Sequence, residues 1–437
     1  MKLLLVQCAA LGHTLVQTHP ELTAATGLAF RPLTPPFPAV TCTASATMRT
    51  ATTPDHHGII ANGRYDRAAC KVEFWLQSAR LCRGPRIWQG CPGCHTAMIF
   101  HQQNLGEQAD IVLSPWPVHK HHGGMIQACQ TTPPDLEKRL NDRIGRPFDL
   151  MRYWGPLASI KSSDWIAQAT IDIMEHDAPD LLLTYIPHLD YVLQKFGPAP
   201  SRQLDREYAL FTDLIARLLD AARANGYEVL VWGDYAIVRA DQPVYLNRAL
   251  RDAGLFRVRT VGNGLTYPNL YDSPVVAMAD HQVAHLYIQE QNPDRRQAIL
   301  EQTRRLVQDL PGVAAVQTRQ EAGLDTPEAG DLVATADPHA WFTYRWWDAR
   351  RDAPDYATHI DIHAKIGFDP CELFSGFPPL VTTSMEPERV RGTHGRNDEP
   401  AAFSATPGLL PHVADARTLT ELSARLRDLL RRQFPSD

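Results

Sequence analysis

The 437-residue chain has no apolar run of the roughly 18–20 residues that a spanning helix needs, so no membrane span is expected. It also lacks a basic excess: 43 Lys and Arg stand against 49 Asp and Glu, a net charge of −6. That balance argues against a nucleic-acid polymer as partner, because such a surface needs clustered cations. The eight cysteines fall in no regular framework. This argues against a disulfide scaffold and suits reduced thiols in a cytoplasmic setting. No internal repeat or long linker is evident. Disorder is excluded as well, with 44% apolar and 21% charged residues. The length exceeds the needs of one small core, so a large domain with insertions, or several domains, is expected.

What is present is alternation. The opening MKLLLVQCAALGHTLV competes between a signal peptide and a buried strand. Leu3–Val6 reads as the strand, because the apolar run is short and ends at Gln7 without a clear cleavage site. Asp180–Ile186 (DLLLTYI) is an apolar run that follows a stretch of helical period at residues 162–180. A helix around Glu207–Ala224 then leads to a second buried strand, Tyr227–Trp232. This β–α–β–α rhythm implies a mostly parallel sheet between helices, and polar groups just past its strands lie at the carboxyl edge, where α/β sites are built. Residues 91–160 break the rhythm and read as a cap insertion. Residues 290–335 read as a small α/β insertion.

Past the strand at Asp180–Ile186 come His188, Asp190 and Gln194; the last two, four apart, share a face if helical. Past Tyr227–Trp232 come Asp234 and Tyr235. A carboxylate there is costly unless it is paired or binds a metal, so the two together suggest a shared divalent-cation site. ADHQVAH supplies Asp280, His281 and His285, on a helix or a strand. THIDIHAK supplies Asp361 and His363, and RGTHGR supplies His394. Neutral imidazole suits zinc. CPGCH (Cys91, Cys94, His95) reads as a loop with two free thiols, since no second Cys pair completes a zinc site. Asn104, in FHQQNL, is a cap residue placed to line the site.

The segments VTCTASATMRTATTPDHHGIIANG, YIPHLDYVLQKFGP, VLVWGDYAI and GTHGR occur in this order over most of the chain. They resemble the alkaline phosphatase superfamily, in particular its nucleotide pyrophosphatase/phosphodiesterase branch. The resemblance implies an alkaline phosphatase-like α/β fold: a large, mostly parallel sheet sandwiched between helices, with a cap. Counting back from PDHHGI, it places Thr41 at the nucleophile position, with Thr43 the nearby competitor; counting forward, it places Asn62 against a phosphate oxygen. It implies a small-molecule phosphoester substrate, a phospho-threonine intermediate and one or two divalent ions, zinc first, with Mg or Mn as the harder alternatives.

This sequence departs from the branch in its ligands. Ala9 stands where an Asp is usual, Gln194 where a His is usual, and Tyr235 where a His is usual. Asp190, Asp234 and His394 remain. The preferred expectation is a rebuilt site in which Asp280, His281, His285, Asp361 or His363 replace the missing ligands, with His188, Asn104, Gln194 and Tyr235 as substrate contacts. A single-cation site, a non-catalytic binding protein on a hydrolase fold, and a phosphonate-cleaving or phosphoryl-transferring enzyme are the alternatives.

Overall fold

In the computed structural model, which describes residues 1–122, 124–379 and 382–435, Lys2–Cys8 is a central strand of an eight-stranded sheet. Across the sheet the order is Arg31–Leu33, Ala401–Ala405, Tyr227–Gly233, Lys2–Cys8, Leu181–Ile186, Thr96–Ile99, Ile111–Pro115 and Cys129–Thr132. The run from Tyr227–Gly233 to Ile111–Pro115 is parallel. The strands outside it pair antiparallel.

The alternation along each strand explains the apolar runs. Leu4, Val6, Leu182, Val229 and Val231 pack with residues of the helices Ile160–His176 and Arg202–Ala224. Leu3, Leu5, Leu181, Leu183, Leu230 and Trp232 turn the other way, toward the helices Thr41–Thr50 and Leu419–Gln433. A strand covered on both faces has no polar side, so LLLV and LLLTYI read as unbroken hydrophobic segments. Truncating one of these fully buried leucines to Ala costs about 2–5 kcal/mol.

A second, antiparallel sheet has the order Val275–Asp280, Val283–Ile288, Leu332–Ala336, Val313–Thr318. It has its own apolar core, to which Val307 of the helix Pro293–Gln308 contributes. The expected insertion at 290–335 is therefore the later part of a unit whose first strand starts at Val275. The expected cap at 91–160 also needs correction. Thr96–Ile99, Ile111–Pro115 and Cys129–Thr132 are strands of the main sheet. Within that span a short hairpin, Val118–His119 with Met125–Ile126, contributes His119 and Met125 to the wall of the cavity described below.

The carboxyl edge of the parallel run is where the loops gather. Gly233 ends its strand against Leu11: a Cβ there would sit 2.2 Å from the Leu11 carbonyl oxygen. Only glycine lets the two chain crossings come this close, and the next residue is Asp234.

Candidate active site

Thr41 is the first residue of the helix Thr41–Thr50, whose ten residues are all buried. Small side chains let this helix lie close against the sheet, and most of its hydroxyls find partners inside. Ser45 Oγ donates to Gln7 Oε1 at 2.9 Å, Thr50 Oγ1 donates to the Ala46 carbonyl at 2.8 Å, and Thr47 Oγ1 lies 3.1 Å from His57 Nε2. Most of the hydroxyl crowding is thus internal packing. Thr41 differs because it lines a cavity of about 710 Å³; Thr43 is fully buried away from it.

The Thr41 hydroxyl lies 3.2 Å from the Tyr235 hydroxyl, and the Tyr235 hydroxyl donates to Asp190 Oδ1 at 3.1 Å. A phenol has one proton, so Thr41 donates to Tyr235 in this chain of bonds. Asp190 sits on the helix His188–Phe196 and accepts a second bond, 2.8 Å, from Gln194 Nε2 one turn later. Burial pushes the Asp190 carboxyl up to about 6, against those two bonds that hold it down. The Tyr235 ring stacks on His394 at 3.6 Å and 4°, and His394 packs on His281 at 3.7 Å. His394 Nδ1 lies 2.8 Å from the Ala39 carbonyl, which only accepts, so Nδ1 carries the proton and Nε2 is bare. Burial pushes His394 down to about 3 and His281 well below its ordinary range, leaving both imidazoles neutral.

Asn62 and Asp280 form a second unit. Asp280 accepts from the Asn62 backbone N–H at 2.7 Å and from Asn62 Nδ2 at 3.2 Å. Asn62 Oδ1 accepts the Cys42 N–H at 3.0 Å, which fixes the start of the Thr41 helix. Burial pushes Asp280 up to about 7. Asp234 forms a third unit: its oxygens accept from Gln7 Nε2 and from the Ala10 N–H, both at 3.0 Å. Burial pushes Asp234 up to about 7.

The structure brings Thr41, Asn62, Asp190, Tyr235, His281 and His394 to one cavity, with His363 and Asp361 also on its wall. Several expected roles are corrected. ADHQVAH, open between helix and strand in the sequence, is a hairpin: His281 sits in its turn and His285 on the second strand. His285 is fully buried with Nε2 3.1 Å from the Ile60 carbonyl and Nδ1 accepting from the Gly330 N–H, so neither nitrogen is free for a metal. Asp280 holds Asn62. His363 places Nδ1 3.2 Å from the Phe74 carbonyl. His188 faces away, with Nε2 3.1 Å from Glu207, and does not line the cavity. Asn104 is fully buried and donates to the Leu113 carbonyl, tying the loop after Thr96–Ile99 to the strand Ile111–Pro115. Gln194 positions Asp190 and does not line the cavity. The wall residues that sequence reasoning missed are Gln77 and Gln102, bonded at 2.8 Å, and the aromatics Phe100, Tyr153, Trp154 and Tyr191. Gln102 and Phe100 follow the strand Thr96–Ile99, so placing that strand was the signal that would have found them.

A zinc site takes three to four donors. At one position of the expected pair, the ionisable groups are Asp190 and His394, 3.9 Å apart, and Gln194 turns its N–H toward Asp190. At the other, both oxygens of Asp234 already accept N–H bonds, and the neighbouring ligand positions hold Ala9 and Tyr235. Among the described residues no three His, Cys, Asp or Glu side chains converge to hold a metal ion. The residues do not fit a two-cation centre, and the rebuilt ligand set is not assembled.

Comparison with solved structures places the fold. The chain is similar to phosphonoacetate hydrolase from Sinorhizobium meliloti 1021 in complex with phosphonoacetate, at 15% identity and TM-score 0.60, covering 98% of this chain and 95% of that one. It is similar to murine ectonucleotide pyrophosphatase / phosphodiesterase 5 at 14% identity and TM-score 0.58, covering 99% and 95%. The human form of that protein gives 13% identity and TM-score 0.59, with the same coverage. No curated protein matches by sequence. These likenesses establish the alkaline phosphatase-like fold. A family match covers residues 20–369, well over half of the chain. The chain belongs to the type I phosphodiesterase / nucleotide pyrophosphatase family of phosphoester-cleaving hydrolases.

Proposed function

We propose that this chain hydrolyses a small-molecule phosphoester by attack of the Thr41 hydroxyl, through a phospho-threonine intermediate. The observation that carries the reading is the chain of bonds Thr41–Tyr235–Asp190 at the floor of the cavity. A neutral Thr hydroxyl is a weak nucleophile and needs a base or a cation to activate it. Here the Thr41 proton passes to the Tyr235 oxygen as the phenol proton passes to Asp190; the leaving alkoxide takes a proton from water, the hydroxide so formed attacks the phospho-threonine phosphorus, and the Thr41 oxygen released regains its proton from Asp190 through Tyr235. The start of the Thr41–Thr50 helix offers backbone N–H groups and a positive dipole end to the phosphoryl oxygens. Asn62 keeps that end in place through Cys42. Members of this family are in general metal-dependent. Neutral N–H and O–H donors occupy the carboxylate oxygens of Asp190 and Asp234 instead, so no step of the proposal is routed through a cation.

The test is turnover of a chromogenic phosphodiester and monoester by chelator-dialysed protein, beside Thr41→Ala. Wild-type activity with loss to background in the variant is the expected result. Activity that survives Thr41→Ala overturns the nucleophile assignment. Product analysis in labelled water separates hydrolysis from transfer.

A further inference from the structure

The walls above the reacting groups are unlike a site for a polyanion. Among the described residues lining the cavity there is no Lys and no Arg, and Asp190 and Asp361 are its only Asp or Glu. A nucleotide with further phosphates would meet carboxylates and no guanidinium, the group best shaped to bind phosphate. The walls are instead aromatic and aliphatic: Phe100, Tyr153, Trp154, Tyr191, Ile362 and Phe368. The apolar character continues out through the mouth. Trp116, Met151 and Ile360 line the cavity yet are 48%, 41% and 40% exposed. Val118 and Ile126, at 52% and 50% exposed, pair on the hairpin whose His119 and Met125 form the wall. Among the described residues, three of the eleven exposed large hydrophobics thus lie at this one opening, and two more stand on the other face of its hairpin. Exposed apolar groups that cluster, rather than scatter, mark a binding surface.

We propose that the substrate is an amphiphile: a phosphoester of a long-chain alcohol, with the phosphoryl group at Thr41 and the alkyl chain along the aromatic walls to the exposed rim. The volume, about 710 Å³, lies in the range that holds a whole small ligand. The inference rests on the phosphoester reading of the same site, and binding without turnover separates the two.

The test is calorimetry of the whole protein with a series of linear alkyl phosphonates, each kept below its aggregation concentration. AMP serves as competitor, and alkanols of matching length serve as uncharged controls. Affinity is expected to rise roughly three- to fourfold per added methylene until the cavity is filled, since each buried methylene contributes about 0.8 kcal/mol. AMP is expected to compete no better than methylphosphonate. Trp116→Ser with Met151→Ser, both at exposed positions, is expected to flatten the slope while leaving the shortest phosphonate unaffected. A flat series in the wild type, or AMP binding more tightly than the longest phosphonate, overturns the proposal. Alkanols that reproduce both slope and affinity support the apolar cavity and overturn the phosphoester reading.

Discussion

Tyr235 has two kinds of contact in the site: its hydroxyl joins Thr41 to Asp190, and its ring stacks flat on His394. Tyr235→Phe keeps the stack and removes the relay. It is expected to lower kcat by about 10²–10³-fold with KM little changed, within the range of a lost general base; kinetics at saturating substrate checks this. A loss confined to KM would make Tyr235 a binding group. Asn62 carries a different load. Asn62→Ala removes a partner from buried Asp280 and from the Cys42 N–H, and is expected to cost about 2 kcal/mol or more in urea unfolding. That Thr41, Asn62 and Asp190 meet at one cavity was legible in the sequence, because one fixed spacing, or one strand end, singles each out. His285, His188 and Asn104 were not. A histidine satisfied by backbone groups and a histidine facing a metal have the same letter, and only the partner across the fold distinguishes them.

At the scale of elements, three neighbouring strands, Lys2–Cys8, Leu181–Ile186 and Tyr227–Gly233, deliver Ala9, Gln194 and Tyr235 to the same edge. Each replaces an expected metal ligand by a residue that binds metal poorly or not at all. Purified wild-type protein is therefore expected to carry zinc well below one ion per chain by elemental analysis, with a Tm insensitive to chelator. The variant Ala9→Asp, Gln194→His, Tyr235→His is expected to take up zinc and to melt higher with it. Two tightly held ions in the wild type would contradict this reading. The segment after Thr96–Ile99 makes a pH prediction. His101 is fully buried there with no partner among the described residues on either ring nitrogen, and burial pushes it down to about 3. Its unfolded value is about 6.5, so the unfolded chain binds the extra proton. The stability tied to the neutral ring is complete above pH 6.5 and falls as pH drops toward 3. His101→Leu is expected to reduce the slope of stability against pH between 6 and 4 by about 1.4 kcal/mol per unit; an unchanged slope would count against it. The doubly covered strands and the helix Arg202–Ala224 were legible from period alone. The strands inside 91–160 were not, because short strands among His, Pro and Gln carry little periodic signal.

For the whole molecule, two cores divide the labour. The parallel sheet and its helices supply Thr41, Asp190 and Tyr235, and the antiparallel unit supplies His281 to the cavity and Asp280 behind Asn62. The fold class and the family were readable because motifs on separate elements keep one order over most of the chain. The substrate was not, because the walls come from many short loops whose meeting is decided by the fold. The central claim is that Thr41 becomes phosphorylated during turnover. It is tested most directly by acid-quenching the chelator-dialysed protein in the presence of a reactive phosphoester and mapping the peptides by mass spectrometry. A phosphoryl adduct is expected on the peptide carrying Thr41, absent in Thr41→Ala and enriched when the second step is slowed. Steady turnover with no adduct on that peptide, or an adduct on another residue, would contradict it.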